Sequence, residues 1–306
     1  MPASIPIPRL DGGYTRVYRP AGDHYHGTPT PELTPGTWYP DWVPNDHGFV
    51  CDTDGRWHVF GITHPLTGSS LERVHDGEVQ SFHARAPRGS LAAALRADAW
   101  EDLPKVLLPR DRPGEIPEQH APAIVRRDGT YWMIYGPSPL RLATSSDLHS
   151  WTPAGALFSE ATGARDPGIL LWNNLYHMVF CSLNQVRLRT SPDLRHWSTA
   201  ETLLTLPPPI APESPFLVLR EGIFYLFVCG WDGVWDQRDL QGAYQHRTYV
   251  YAAADLHAFG SGPPLTELEA HAPEVIAGED GQWYLSSAEW PERGISLAKL
   301  AWETTP

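Results

Sequence analysis

Ionisable side chains recur at one position of an internal repeat in the sequence. Each of the five copies has a short apolar run, a turn and a second run rich in aromatic residues, and four copies open with a proline. Two residues before that proline, or before the glycine that replaces it in the first copy, stand Asp46, His120, Arg165, Glu213 and His271. Because a buried charge is costly unless it is paired, five ionisable residues at one repeat position predict a shared polar site. A structural plug of mutual salt bridges is the alternative interpretation.

Two carboxylates at one site suit the acid–base cleavage of a glycosidic bond. One carboxylic acid protonates the leaving oxygen, and a second carboxylate attacks the sugar or activates water. Asp46 and Glu213 are the candidates at the repeat position. Asp166 follows Arg165 immediately, so on a regular strand the two side chains point to opposite faces. Either Arg165 faces the site, or a bend before Pro167 turns Asp166 inward, and the spacing leaves both open.

The repeat also predicts the elements that position these residues. Turn pairs such as Asp128-Gly129 and Asn173-Asn174 join the two runs of each copy and predict β-hairpins. Intervals of 74, 45, 48 and 58 residues separate the proline-equivalent positions 48, 122, 167, 215 and 273. A period of about 50 residues with about four strands is typical of a propeller blade. We therefore predict an all-β, five-bladed β-propeller, with an irregular β-sandwich as the alternative.

Five blades account for the whole chain, so we predict a single catalytic domain over residues 1–306. Residues 1–40 are rich in proline and glycine and are expected to wrap the outside of the ring or to close it. The long first interval contains residues 91–100, LAAALRADAW, which are predicted to form a short helix or a loop insertion.

Composition and charge exclude several classes of protein. Hydrophobic residues make up 42% and charged residues 19%, which suits a globular domain with a full core. The formal net charge of -13 repels a phosphate backbone, so no nucleic-acid partner is expected. No apolar run approaches the length of a membrane span, and no signal sequence is evident, so we expect no membrane partner and a cytoplasmic location. Zinc-protease, serine-hydrolase, P-loop and dinucleotide motifs are not evident either.

Three motifs, in order along the chain, carry a resemblance to a known group of enzymes. Asn45-Asp46-His47-Gly48 resembles the first acidic motif of glycoside hydrolase family 32, although it is one residue shorter. Arg165-Asp166-Pro167 matches the second motif of that family, and Glu213-Ser214-Pro215 is similar to the Glu-x-Pro motif of family 43. The chain thus resembles the five-bladed propeller furanosidases of families 43 and 32, from about Asp41 to Trp302.

The resemblance implies a role for each acidic residue. Asp46 is expected to be the nucleophile or general base, Asp166 to stabilise the transition state or tune a pKa, and Glu213 to be the general acid. It resolves the register question in favour of an inward Asp166 with Arg165 beside it. Asp41, five residues before Asp46, is a rival for the first role.

Other residues of the predicted site follow from the same comparison or from their position. The resemblance implies that His271 helps to hold a calcium or sodium ion in the channel, and no other cofactor is expected. Residues predicted to contact the substrate are His120, Arg165, Trp42, Trp231, His64 and His83. For the histidines and tryptophans outside the repeat position, a purely structural role is the alternative.

The function expected from these observations is hydrolysis of a furanoside or related glycoside in a small oligosaccharide. Arabinofuranosides, xylosides and fructofuranosides are the candidate substrates. A phosphorylase or transglycosylase on the same fold is one alternative, in which Arg165 with Arg141 or Arg187 would bind phosphate. A non-catalytic sugar-binding propeller is the other.

Overall fold

Two-residue turns build the hairpins that the repeat predicts. The structure is a computed structural model that describes residues 5–67, 77–231, 246–260 and 262–304. The pairs Asp128-Gly129, Asn173-Asn174 and Glu221-Gly222 each lie between antiparallel strands, and both residues of each pair have positive φ. Positive φ at both central residues defines the type I′ turn, whose twist matches that of the flanking strands.

The hairpins extend into antiparallel sheets of four strands, five of which are present in the described residues. Strand β1 (Ile7–Tyr18) and a small sheet of β2 (Asp23–His24) and β3 (Trp38–Tyr39) precede them. Blade one contains β4 (Trp42–Cys51), β5 (Trp57–Pro65), β6 (Gln80–Arg85) and β7 (Glu101–Val106). Blade two contains β8 (His120–Arg127), β9 (Thr130–Gly136), β10 (Leu140–Ser145) and β11 (Thr152–Phe158). Blade three contains β12 (Arg165–Trp172), β13 (Leu175–Ser182), β14 (Gln185–Ser191) and β15 (Glu201–Thr205). Blade four contains β16 (Ala211–Arg220), β17 (Ile223–Trp231), β18 (Arg247–Ala253) and β19 (Thr266–Glu269).

The fifth blade joins the two ends of the described chain. It contains β20 (Val275–Ala277), β21 (Trp283–Ala288) and β22 (Ile295–Glu303), and β1 pairs antiparallel with β22 as the outer strand. Leu10 lies opposite Leu300 in this ladder, and Thr15 lies opposite Leu297. The N-terminal strand therefore closes the ring, and the predicted five-bladed β-propeller is confirmed.

Helical structure is confined to short turns in the described part of the chain. Within the predicted insertion, α1 (Leu91–Ala94) is a single turn, and the Ser90 side chain accepts a hydrogen bond from the Ala93 amide at 3.3 Å. None of the helices among the described residues is long and apolar enough to cross a membrane.

The apolar core lies between neighbouring blades. One buried cluster joins Phe60 of blade one to Met133 of blade two, and another joins Leu188 of blade three to Leu226 of blade four. Similar clusters fill the other interfaces, including the closure between blades five and one. Burial of each large apolar side chain contributes about 1.5–3 kcal/mol, so the ring is held together mainly by these interfaces.

Two glycines allow the innermost strands to approach one another. A Cβ atom on Gly48 of β4 would lie 2.4 Å from the carbonyl oxygen of Pro122 on β8. A Cβ atom on Gly168 of β12 would lie 2.3 Å from the carbonyl oxygen of Pro215 on β16. Both distances are far shorter than any allowed contact, so these positions require glycine for the strands to converge on the axis.

The replacement Gly168→Ala tests this close approach. We expect the free energy of unfolding to fall by about 1–3 kcal/mol, because the added methyl group must push two backbone segments apart. Gly13→Ala is the matched control, since no atom lies within 4 Å of a Cβ at that position. Urea unfolding measures both variants, and equal stability of the two would contradict a requirement for glycine at position 168.

Candidate active site

The innermost strands of blades one to four share an irregularity where they reach the ring axis. The antiparallel register shifts between Pro44 and His47, His120 and Ala123, Arg165 and Gly168, and Glu213 and Phe216. At two of these bulges Asp166 and Ser214 have φ of 54° and 46°, in the left-handed region that non-glycine residues seldom adopt. A bulge re-aims side chains locally, so consecutive residues can reach the same site.

The bulges answer the register question that the spacing left open. Arg165 and Asp166 both line a cavity of about 340 Å³ at the axis, which lies at the lower end of the range for small-molecule sites. Asp46, His120, Glu213 and Trp231 line the same cavity, as the sequence predicts for each of them. Asn45, Ile62, Glu78 and Pro137 complete its described lining. Residues from blades one to four therefore converge, although their segments are far apart in sequence.

Arg165 holds the carboxylates of the cavity together. Its Nη1 forms an ion pair with Asp166 and lies 3.3 Å from Oε1 of Glu213, while Nη2 donates to the Pro212 carbonyl at 2.8 Å. Burial lowers the pKa of this guanidinium, but the charges of Asp166 and Glu213 together raise it above its ordinary value. Arg165 is therefore a permanent cation that links two of the three predicted catalytic residues.

Asp46 has an unusual electrostatic environment. The Ser214 hydroxyl donates to Oδ1 of Asp46 at 2.7 Å, and the Ser214 amide donates to Oδ2 of Asp166 at 3.3 Å. Burial and the neighbouring Asp166 and Glu213 charges raise the pKa of Asp46 well above its ordinary value, against the lowering effects of Ser214 and Arg165. A carboxyl whose pKa is raised is suited to proton transfer near neutral pH.

Glu78 is a site residue that the sequence does not reveal. It precedes β6, its residue is 1% exposed, and its Oε2 lies 3.0 Å from Nε2 of His120. Its main-chain oxygen also accepts a hydrogen bond from the Gln119 amide at 2.7 Å. Glu78 belongs to the long first interval and has no counterpart in the other copies of the repeat. The repeat therefore contains no pattern from which Glu78 could be predicted as a site residue.

Three residues predicted to contact the substrate lie in the protein interior instead. Trp42 is fully buried among Tyr25, Leu33 and Val79, and its Nε1 donates to the Tyr39 carbonyl at 3.1 Å. This cluster anchors the N-terminal segment to blade one, so the prediction of a sugar contact for Trp42 is wrong.

The two histidines of blade one that were predicted to contact the substrate are buried as well. His83 stacks on Phe60 at 4.1 Å between ring centroids, and its Nε2 lies 2.8 Å from Nδ1 of His58. His64 is buried at the end of β5, and its Nδ1 lies 3.1 Å from the Pro65 carbonyl oxygen. Neither is among the described residues that line the cavity, which corrects the prediction for both. The contacts of His83 with Phe60 and His58 fit the alternative of a purely structural role.

His271 lies deeper in the channel than its repeat position suggests. Blade five begins its first strand only at Val275, and His271 is buried with Nε2 2.9 Å from Oδ1 of Asn45 and Nδ1 3.6 Å from Sγ of Cys229. Calcium prefers six to eight oxygen ligands, and these contacts do not fit such a shell. No three His, Cys, Asp or Glu side chains in the described residues are grouped to hold a metal ion. The described residues around His271 therefore do not fit the predicted ion.

Asp41 is separated from the site. Its side chain is 49% exposed and pairs with Nη2 of Arg19 at 2.8 Å, and it does not line the cavity. Asp46 and Asp41 were the two candidates for the nucleophile or general base, and only Asp46 is among the described residues that line the cavity.

Solved structures with this propeller fold include glycoside hydrolases. An exo-1,5-α-L-arabinanase from a bovine ruminal metagenomic library has a TM-score of 0.57 at 15% identity, over 86% of this chain and 93% of that chain. A family 43 endo-arabinanase from Bacillus licheniformis has a TM-score of 0.59 at 14% identity, over 85% and 93%. A GH43_1 enzyme from Xanthomonas citri, complexed with xylose, has a TM-score of 0.59 at 14% identity, over 85% and 86%. The sequence matches no protein-family model and no curated protein. At these identities the likeness establishes a shared fold.

The replacement Asp46→Asn is expected to stabilise the protein at neutral pH. The raised pKa means that the folded state retains a proton at pH values where the unfolded state has lost it, so wild-type stability falls as pH rises above 3.8. Asparagine removes this dependence, so we expect a gain in the free energy of unfolding at pH 7 that disappears below pH 3.8. Thermal or urea unfolding across this pH range measures it. A loss of stability at pH 7 would contradict the raised pKa of Asp46. Asp41→Asn is the control, because the Asp41 side chain is exposed.

The replacement Arg165→Met should act in the opposite direction. It leaves Asp166 and Glu213 without their shared cation, so the cost of removing their charges from water is no longer compensated. We therefore expect the free energy of unfolding to fall by about 2 kcal/mol at pH 7. The loss should shrink at acidic pH, where the carboxyls take up protons. Arg9→Met is the control, because Arg9 pairs with Glu303 on the exposed edge. An equal loss at both pH values would show that Arg165 contributes packing and no charge balance.

Proposed function

We propose that this chain is a glycoside hydrolase whose catalytic residues are Asp46, Asp166 and Glu213. The observation that carries the proposal is the convergence of these three carboxylates, from blades one, three and four, around Arg165 in one cavity on the propeller axis. Cleavage of a glycosidic bond requires two carboxyl groups in complementary protonation states, and the described lining of this cavity includes three candidate carboxyl groups. The shared fold with arabinanases adds support.

In the proposed reaction Glu213 protonates the leaving oxygen while Asp46 attacks the sugar or activates water. Oδ1 of Asp46 accepts a hydrogen bond from the Ser214 hydroxyl, which fixes the carboxyl group and partly offsets the rise in its pKa caused by burial and the neighbouring carboxylates. Asp166 pairs with Arg165 and receives the Ser214 amide, so it orients both neighbours and holds positive charge near Glu213. Electrostatic groups fixed in this way need no reorganisation during the reaction.

The substrates we propose are α-L-arabinofuranosides or β-D-xylosides. Proteins of the same fold include two arabinanases and an enzyme complexed with xylose. This chain aligns with most of the length of each of them. Trp231 lines the cavity and offers an aromatic face on which a sugar ring can stack.

The phosphorylase hypothesis finds less support. It requires a phosphate site formed by Arg165 with Arg141 or Arg187. Arg141 pairs with Glu115 at 3.2 Å and Arg187 pairs with Glu160 at 3.2 Å, and neither is among the described residues that line the catalytic cavity.

The proposal is tested with glycosides that differ in their leaving group. Arabino- and xylo-oligosaccharides and the 2,4-dinitrophenyl glycosides of both sugars are assayed with and without phosphate. Glu213→Gln should lower kcat/KM about 100- to 10000-fold for the oligosaccharides, and much less for dinitrophenyl glycosides, because dinitrophenolate leaves without protonation. Asp46→Asn should lower kcat/KM for both kinds of substrate.

Two outcomes would change the proposal. If Asp46→Asn spares the dinitrophenyl glycosides and Glu213→Gln does not, the two residues exchange roles, in agreement with the raised pKa of Asp46. If the wild-type chain cleaves none of these glycosides, with or without phosphate, the assignment as a glycosidase of these sugars is wrong. Glu303→Gln, at the exposed end of β22 in blade five, is the control for loss of a carboxylate.

A further inference from the structure

A second charged pair borders the cavity beside the Arg165 cluster. Glu78 precedes β6 of blade one, His120 begins β8 of blade two, and their side chains meet at 3.0 Å between Oε2 and Nε2. The proposed acid–base reaction uses neither residue. Both line the same described cavity as Asp46, so both face any sugar that enters it.

The chain fixes this pair from both sides. The Gln119 amide donates to the Glu78 carbonyl at 2.7 Å, which ties the backbone of Glu78 to the residue before His120. Nη2 of Arg112 donates to the carbonyl of Val79 at 3.0 Å and restrains the next residue. Glu78 is almost completely buried, so its carboxylate is held in place before a ligand arrives. A group that is fixed in advance binds its ligand without the entropic cost of being ordered.

The chemistry of the pair suits sugar hydroxyl groups. An ionised carboxylate only accepts hydrogen bonds, and its two oxygens can serve two donors, whereas an imidazole can donate as well as accept. Neighbouring hydroxyls on a sugar ring offer this combination of donors and acceptors. Hydrogen bonds to charged groups are also stronger than those between neutral groups.

The charge of the cavity restricts which sugars are compatible. The described lining contains four carboxylates, from Asp46, Glu78, Asp166 and Glu213, and Arg165 supplies the one guanidinium among these described residues. Arg165 already pairs with Asp166 and Glu213. A sugar that carries its own carboxylate would meet these negative charges, and the one guanidinium of the described lining is already paired with two of them.

We propose that Glu78 and His120 bind ring hydroxyls of the substrate, and that the charge of Glu78 excludes sugar acids such as uronic acids. This inference rests on the proposed function, because it places the sugar in the same cavity. It makes Glu78 a specificity-determining residue and restricts the substrates to uncharged sugars.

The test compares two ligands that Glu78 should affect in opposite directions. Binding of xylose, arabinose and glucuronate to the wild-type chain and to Glu78→Gln is measured by calorimetry or by inhibition of glycoside cleavage. Glutamine keeps the shape of the side chain and removes its charge. We expect the affinity for xylose or arabinose to fall about tenfold or more, and the affinity for glucuronate to rise about tenfold. A merely structural defect would weaken both, and Glu303→Gln should change neither.

The outcomes separate this inference from the proposed function. If the wild-type chain cleaves its glycosides but Glu78→Gln leaves the ratio of neutral to acidic sugar affinity unchanged, the inference is wrong and the hydrolase assignment stands. If no glycoside is cleaved but the affinities shift in opposite directions, Glu78 selects the sugar and the hydrolase assignment is wrong. If the wild-type chain neither cleaves glycosides nor binds neutral sugars, both are wrong. His120→Asn provides a second variant, which should weaken neutral-sugar binding without favouring glucuronate, because it removes no negative charge.

Discussion

The pairing of Arg165 with two carboxylates is the interaction on which the site depends. Four acidic side chains of the described residues border one cavity, and carboxylates so close together repel each other unless a cation lies among them. Arg165 bridges Asp166 and Glu213 and is held in turn by the Pro212 carbonyl. Asp46 lies outside this bridge and bears the remaining cost, which appears as its raised pKa. The charge balance thus differentiates Asp46 from Glu213, which occupy the same position of the repeat.

The propeller makes this arrangement possible because its innermost strands converge on the axis. Gly48 and Gly168 let neighbouring strands approach, and a bulge near the start of each inner strand in blades one to four re-aims the side chains there. The left-handed conformations of Asp166 and Ser214 are costly for residues with a Cβ atom. The apolar interfaces between blades supply stability that offsets this cost.

Repetition decides how much of the molecule could be predicted from its sequence. The fold follows from features that recur. One is the segment S-x-D-L-x-x-W, which occurs at residues 145–151 and 191–197. The Ser145 hydroxyl accepts from the Leu148 amide at 2.9 Å, and the Ser191 hydroxyl makes the same contact with Leu194 at 2.8 Å. The positions of Asp46 and Glu213 in the cavity follow from the repeat too. Asp166 required a bulge that no spacing encodes, so the family resemblance alone placed it inward.

Residues outside the repeat were predicted least well. Proximity to a motif suggested a sugar contact for Trp42, and a place in blade one suggested one for His83. Adjacent residues on a strand alternate between faces, and these two side chains are buried in the core. Glu78 was missed for the complementary reason. Glu78 is held beside the cavity by a hydrogen bond from the Gln119 amide, at the start of blade two, to its carbonyl oxygen. Such a tertiary contact produces no periodic pattern in the sequence.

Buried carboxyls elsewhere in the ring show that the electrostatic cost is not confined to the site. Glu274 accepts a hydrogen bond from the Phe49 amide at 2.7 Å, where blade five meets blade one, and burial raises its pKa to about 8. Burial likewise raises the pKa of Glu289 to about 8. In each case the folded state keeps a proton that the unfolded state releases above pH 4.5, so these groups lower the stability as pH rises from 4.5 towards 8. Asp46 acts with the same sign, and the formal net charge of -13 adds general repulsion in the same direction. Ring closure and the cavity carboxyl of Asp46 therefore both favour folding under mildly acidic conditions, because each places a carboxyl group where water is scarce.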